Sequence, residues 1–195
     1  LLSRTQVNIM KNKIIYLVFI LGIIFCKSQV ITLKQLSECQ SDLYPCPSYT
    51  NAKDVDNLLG KFEGTWKGAY TDGRTYELHF TKKNDDGDDR KWDILIGKML
   101  VKSSNGDIIY TFLNNNDLNR ISGFYFDKEL KKYSMHYTAN AKCNDGGYIY
   151  ISFPDPNNLN QMRFVFMQDM DISSGCPYGY KKVIPDAKPI MLTKQ

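Results

Sequence analysis

Histidine is scarce in this chain: His79 and His136 are the two among 195 residues. With so few imidazoles, and with no Cys-x-x-Cys or His-Glu-x-x-His spacing, a zinc centre of the usual ligand types has nothing to build on. A Gly-x-Ser-x-Gly elbow and a phosphate-cradling glycine loop are also missing, so hydrolase and nucleotide chemistry have no signature. Charge of one sign is lacking too. Four of the 25 basic residues (Arg4, Lys11, Lys13, Lys27) and none of the 21 acidic ones lie in residues 1–28, so the remainder carries no formal net charge. Nucleic acid or an anionic membrane calls for a clustered basic excess, and none is present. Finally, no apolar run reaches the roughly 20 residues that cross a bilayer as a helix.

The longest such run, Ile14 to Phe25, has the length of a signal-peptide core instead. Lys11 and Lys13 precede it, and Cys26-Lys27-Ser28 separates it from Gln29. A positive n-region, a short apolar core and a small residue at the cut predict a secretory signal over about 10–28, starting at Met10 and cleaved after Ser28. Lipid anchoring at Cys26 is the weaker alternative, because Ile24 and Phe25 are bulky where lipoprotein processing needs small residues. The expected product is secreted or periplasmic, with no transmembrane segment after cleavage. Residues 29–49 read as an irregular N-terminal segment, and residues 50–195 as one domain.

Four cysteines remain beyond the leader: Cys39, Cys46, Cys143 and Cys176. An even number in an exported chain argues for two disulfides, with three connectivities open. The favoured set is Cys39–Cys46, close in sequence across a proline-rich turn, and Cys143–Cys176, which would staple a long C-terminal connection. That connection, 169–188, is long for a structureless loop and needs such a staple or a function.

Asn51 as N-cap and Gly60 as stop predict one short helix over Ala52–Leu59. Beyond it the period changes to two. Strands are expected at Phe62–Tyr70, Thr75–Lys82, Lys91–Lys102, Asp107–Leu113, Arg120–Asp127, Lys131–Ala139, Gly146–Phe153, Gln161–Gln168 and Pro189–Lys194. The Asn105-Gly106 turn is the strongest hairpin signal, and Asn114–Asp117 marks another turn. Nine strands at hairpin spacing predict an all-β antiparallel up-and-down barrel of eight or nine strands with one short N-terminal helix.

Gly64-Thr65-Trp66 on the first long strand resembles the opening of lipocalin and other calycin barrels, where the tryptophan packs across the closed end. Longer stretches resemble an uncharacterised family of small secreted flavobacterial proteins. The matching parts include Asp54 to Trp66, Phe80-Thr81-Lys82-Lys83, Asp93-x-Leu95-x-Gly97, Cys143 with Gly147-Tyr148-Ile149-Tyr150, Met162-x-Phe164, Cys176-Pro177 and Leu192 to Gln195. The resemblance implies a secreted β-rich domain of unknown function, and carries over no activity, catalytic residue or cofactor.

Tyrosines and phenylalanines that mostly share one strand phase could line a cavity or fill the barrel. The first functional expectation is therefore a non-enzymatic module taking a small apolar or aromatic ligand, with Trp66 and Tyr70 at base and wall and Tyr148 and Tyr150 lining the interior. The alternative is a filled-core interaction protein that binds another exported protein or a cell-surface polymer through its surface or the 169–188 loop. Asn84–Asp89, the one acidic cluster, lacks the ordered ligands of a calcium loop and reads as a solvated hairpin tip. Both histidines fall on the polar phase of their strands and read as surface residues, so neither a metal nor a cofactor is expected.

Overall fold

The computed structural model describes residues 30–41, 46–113 and 121–195. The predicted leader, Cys26 and the Asn114–Asp117 turn lie outside these residues. All nine expected strands are present, most within a residue or two of their expected ends: β3 (Gly64–Ala69), β4 (Thr75–Asp86), β5 (Lys91–Lys102), β6 (Ile108–Thr111), β7 (Ile121–Phe126), β8 (Lys132–Asn140), β9 (Asp145–Ser152), β10 (Gln161–Gln168) and β11 (Pro189–Lys194). They are preceded by two short strands, β1 (Val30–Thr32) and β2 (Asn51–Lys53), which pair in parallel.

The short helix lies earlier than the sequence suggests. It is α1 (Leu33–Ser41), inside the segment expected to be irregular, while Asn51–Lys53 is the strand β2. Thr32 opens α1 with reciprocal bonds: the Gln35 amide donates to its Oγ1 and its own amide donates to Gln35 Oε1. That is a capping box with glutamine in the third position. Asp54, within the Ala52–Leu59 stretch expected to be helical, caps a turn instead. Its carboxylate accepts from the Leu58 amide at 2.7 Å and the Leu59 amide at 3.2 Å, and pairs with Lys82 at 3.0 Å. Local capping chemistry of this kind serves a turn as well as a helix.

The sheet closes through the order β5-β4-β3-β11-β10-β9-β8-β7, with β7 returning to β5, so eight antiparallel strands form the barrel. Its walls hold their register by the two-residue alternation. Tyr76, Leu78 and Phe80 of β4 point inward and are buried, as do Met162, Phe164 and Phe166 of β10. β5 is buried on both phases around Ile94 and Leu95, and its second edge is shared. β2 meets it at Lys91 and Trp92, β7 at Ile96 and Gly97, and β6 at Leu100–Lys102. In the gap between these partners the Leu95 amide donates to the Tyr133 hydroxyl at 3.2 Å. That approach is possible because residue 123 on β7 is glycine: a Cβ there would lie 2.3 Å from the same hydroxyl.

Both barrel ends are stopped. At one, a 3-10 turn (Gly60–Phe62) delivers Phe62, whose ring stacks on Phe153 at 4.9 Å and packs near Tyr133 and Phe126. Trp66, fully buried, donates its indole N–H to the Phe62 carbonyl at 2.8 Å. Lys194 lies 5.4 Å over the Trp66 ring, and Lys61 sits 5.1 Å over Phe62. Burial pushes the Lys61 ammonium below its ordinary pKa. At the other end the 169–188 connection lays Ile184 into the same apolar core. Burying this many rings supplies most of the stabilisation, since each large apolar side chain contributes about 1.5–3 kcal/mol.

Candidate functional site

The second barrel end is where chemistry-bearing side chains gather. The β3–β4 turn brings Arg74 beside Asp72, with Nε to Oδ2 at 2.7 Å. The same guanidinium donates to the Lys182 and Val183 carbonyls at 2.8 and 2.7 Å, and the Tyr76 hydroxyl donates to the Val183 carbonyl at 3.1 Å. From the opposite wall Asp145, fully buried, accepts the Tyr180 hydroxyl at 2.7 Å and the Val183 amide at 3.3 Å. Residues 180–183 are thus clamped from both sides over the mouth.

Electrostatics follow from this clamp. The bond from Arg74 holds the Asp72 carboxyl below the usual carboxylate range. Burial raises the Tyr76 and Tyr180 phenols. Tyr110 and Tyr137 meet edge to face at 6.3 Å beneath the loop, and burial raises both phenols. Among the described residues the Tyr137 hydroxyl and Asp145 Oδ1 are buried polar atoms without a hydrogen-bond partner. Between the clamp and the β5–β6 turn opens a cleft of about 570 Å³, lined by Arg74, Ser103, Tyr110, Lys181, Lys182 and Val183. It is a surface cleft of mixed polarity. The barrel axis beneath it is occupied by Tyr76, Tyr137, Phe164, Phe166 and Met99, all fully buried.

The expected ligand residues part company. Trp66 is at the closed end, as the barrel resemblance implies, but sealed from solvent. Tyr70 stands half-buried at the mouth, close enough to Arg74 and Tyr76 to influence both electrostatically. Tyr148 and Tyr150 do not line the interior. On β9 the inward phase belongs to Ile149 and Ile151, so both tyrosines face out, Tyr148 at 39% exposure. The alternation of β9 was plain in the sequence, but which phase faced inward was not: isoleucines and tyrosines both suit a core.

Both disulfides join the favoured partners, Cys39–Cys46 and Cys143–Cys176. The second ties the 169–188 connection to the start of β9, and the Ser173 amide adds a bond to the Cys143 carbonyl. The acidic tip is partly consumed by lysines: Asp85 pairs with Lys53, and Asp86 with Lys83 at 3.1 Å. Among the described residues no cluster of three or more His, Cys, Asp or Glu has a metal-holding arrangement. Both histidines are on the outer face. His79 lies 2.8 Å from Glu77 and 3.1 Å from the Thr65 hydroxyl, and His136 lies 3.8 Å from Asp169.

Eight closed antiparallel strands, a tryptophan across one stopped end and a loop clamped over the other define a small calycin-like barrel with a filled interior. The chain belongs to a family of unknown function, DUF6705, whose model matches residues 10–172. No curated protein and no solved structure matches it. The two disulfides fit an extracellular or periplasmic protein. Among the described residues no helix is long and apolar enough to cross a membrane.

Proposed function

We propose that this is an exported, non-enzymatic interaction protein with a filled core. It recognises another exported protein or a cell-surface polymer through the 169–188 connection and the cleft beside it. The observation that carries this reading is the barrel axis, where the large side chains of opposite walls leave no room for a small apolar ligand. The connection adds what a recognition surface needs: Tyr178, fully exposed, and Met170, 62% exposed, on a frame held by a disulfide and the Arg74–Asp145 clamp. Arg74, Asp72 and Asp145 at the mouth are engaged in holding the loop, which supports a non-enzymatic role.

Native mass spectrometry of the protein isolated from culture medium is the test. The bare polypeptide mass, shortened by the leader and with both disulfides formed, is expected. Tyr178→Ala combined with Met170→Ser should abolish adhesion of the labelled protein to cell-envelope material. A stoichiometric apolar small molecule that survives transfer would overturn the reading.

A further inference from the structure

Tyr148 and Tyr150 head an arrangement that the 169–188 reading does not use. On the outer face of β8–β10 the register places His136 beside Tyr148 and Met167 beyond it; the next row is Ser134, Tyr150 and Val165. A β-bulge at Gly123–Tyr125 turns both Phe124 and Tyr125 out of the core, so that Phe124 meets Tyr125 at 4.6 Å and Tyr148 at 5.8 Å. Four rings therefore share one exposed or half-buried strip. Tyr148 and Tyr150 are about 7 Å apart along the strand.

The third row supplies charge. Lys132 and Arg163 flank Ser152 in register, about 10 Å apart across three strands. Lys132 lies 4.9 Å over the Tyr150 ring. Among the described residues neither cation has a carboxylate partner. Acids of the adjoining turns are paired or hydrogen-bonded within those turns. Glu129 pairs with Lys131 at 2.7 Å, Asp127 accepts from the Lys131 and Lys132 amides, and Asp155 accepts from the Asn157 amide. At the far end His136 lies 3.8 Å from Asp169, and a hollow of about 170 Å³ beside them prolongs the strip. The face therefore combines flat rings with two cations at one end that form no ion pair among the described residues.

We propose that this face binds a chain of uronic-acid sugars. The C–H face of a pyranose ring carries partial positive charge and stacks on the electron-rich face of tyrosine. The sugar carboxylates meet Arg163 and Lys132, where a guanidinium offers paired donors. Neutral glycans lack the second set of contacts, and duplex DNA and glycerophospholipid vesicles do not present the C–H face of a pyranose ring to the tyrosines.

Isothermal titration of the purified protein with polygalacturonate oligomers tests this, with dextran oligomers, anionic vesicles and duplex DNA as controls. Binding of the uronate chain alone is expected, weakening as salt rises. Tyr150→Ala should lower affinity about tenfold. Arg163→Gln and Lys132→Gln should each lower it about two- to fivefold. Unchanged thermal unfolding in these variants excludes loss of fold as the cause. Tyr178→Ala should leave uronate binding intact, which separates this site from the 169–188 surface. The proposal is overturned by absent binding, by equal binding of dextran, DNA or vesicles, or by a loss caused by Tyr178→Ala and not by the face variants.

Discussion

Gly123 and Tyr133 illustrate how much of the wall depends on a single missing methyl. The Tyr133 hydroxyl satisfies a buried amide at Leu95 that no strand reaches, and it does so by occupying the space a side chain at 123 would need. Gly123→Ala should destabilise by about 1–3 kcal/mol through overpacking, read as a shift in the urea midpoint. Tyr133→Phe should cost about 1–3 kcal/mol by leaving that amide unsatisfied. The double variant should cost less than the sum, because a Cβ at 123 overlaps the ring carbons as well as the hydroxyl, and by displacing the ring it already breaks the bond to the Leu95 amide; strict additivity would refute the coupling. Phe62→Ala, which opens a hole in the plug beneath Trp66, should cost about 3–5 kcal/mol. None of these partnerships could be read along the chain, since 123 lies ten residues from 133 and 28 from 95.

Acid should loosen the element formed by β2 and the β4–β5 hairpin before the rest. Burial works against the Asp93 carboxylate, but the Asp54 and Asp85 amides and the Lys53 ammonium outweigh it, and its pKa falls below the ordinary value. A depressed folded-state pKa stabilises fully above the unfolded-state pKa, and that stabilisation is lost as pH falls through the folded one. Stability should therefore decline from about pH 5 downward, and Asp93→Asn should flatten that slope while lowering stability at neutral pH. Urea titrations at a series of pH values would decide it; parallel slopes in the two proteins would count against the assignment. The connection after β10 depends on its staple. Replacing Cys143 and Cys176 by serine, which removes a bridge between residues 33 apart in sequence, should cost about 2–4 kcal/mol. It should also make 169–188 the first site of proteolysis. The strand boundaries were legible because each strand is bounded by turn residues and alternates; α1 was missed because its capping box lies in a weakly amphipathic stretch with Cys39 near its end.

As a closed body the barrel has two thin seams, one of them the pairing of β3 with β11 at Lys67–Thr193 and Trp66–Lys194. β4 and β5 pair continuously from Thr75–Lys102 to Lys83–Ile94, whereas β5 and β7 are joined at Ile96–Ser122 and Gly97–Ile121 among the described residues. Native-state hydrogen exchange should find the β4–β5 amides most protected and the β7 seam opening at lower free energy. Uniform protection around the ring would contradict this.

The order of strands, their ends, the disulfide-bearing character and the absence of catalytic motifs follow from local pattern: turn chemistry and two-residue periodicity act over a few neighbours and leave their mark in the chain. Which phase of each strand turned inward, whether the interior stayed open, and where β5 changed partners depended on closure of the ring, which sets distant side chains against one another. Tyr148 and Tyr150 went outward because Ile149, between Met135 and Phe166, and Ile151, between Tyr133 and Phe164, fill the core. Packing across a barrel is a property of residues far apart in sequence, so only the folded molecule settles it.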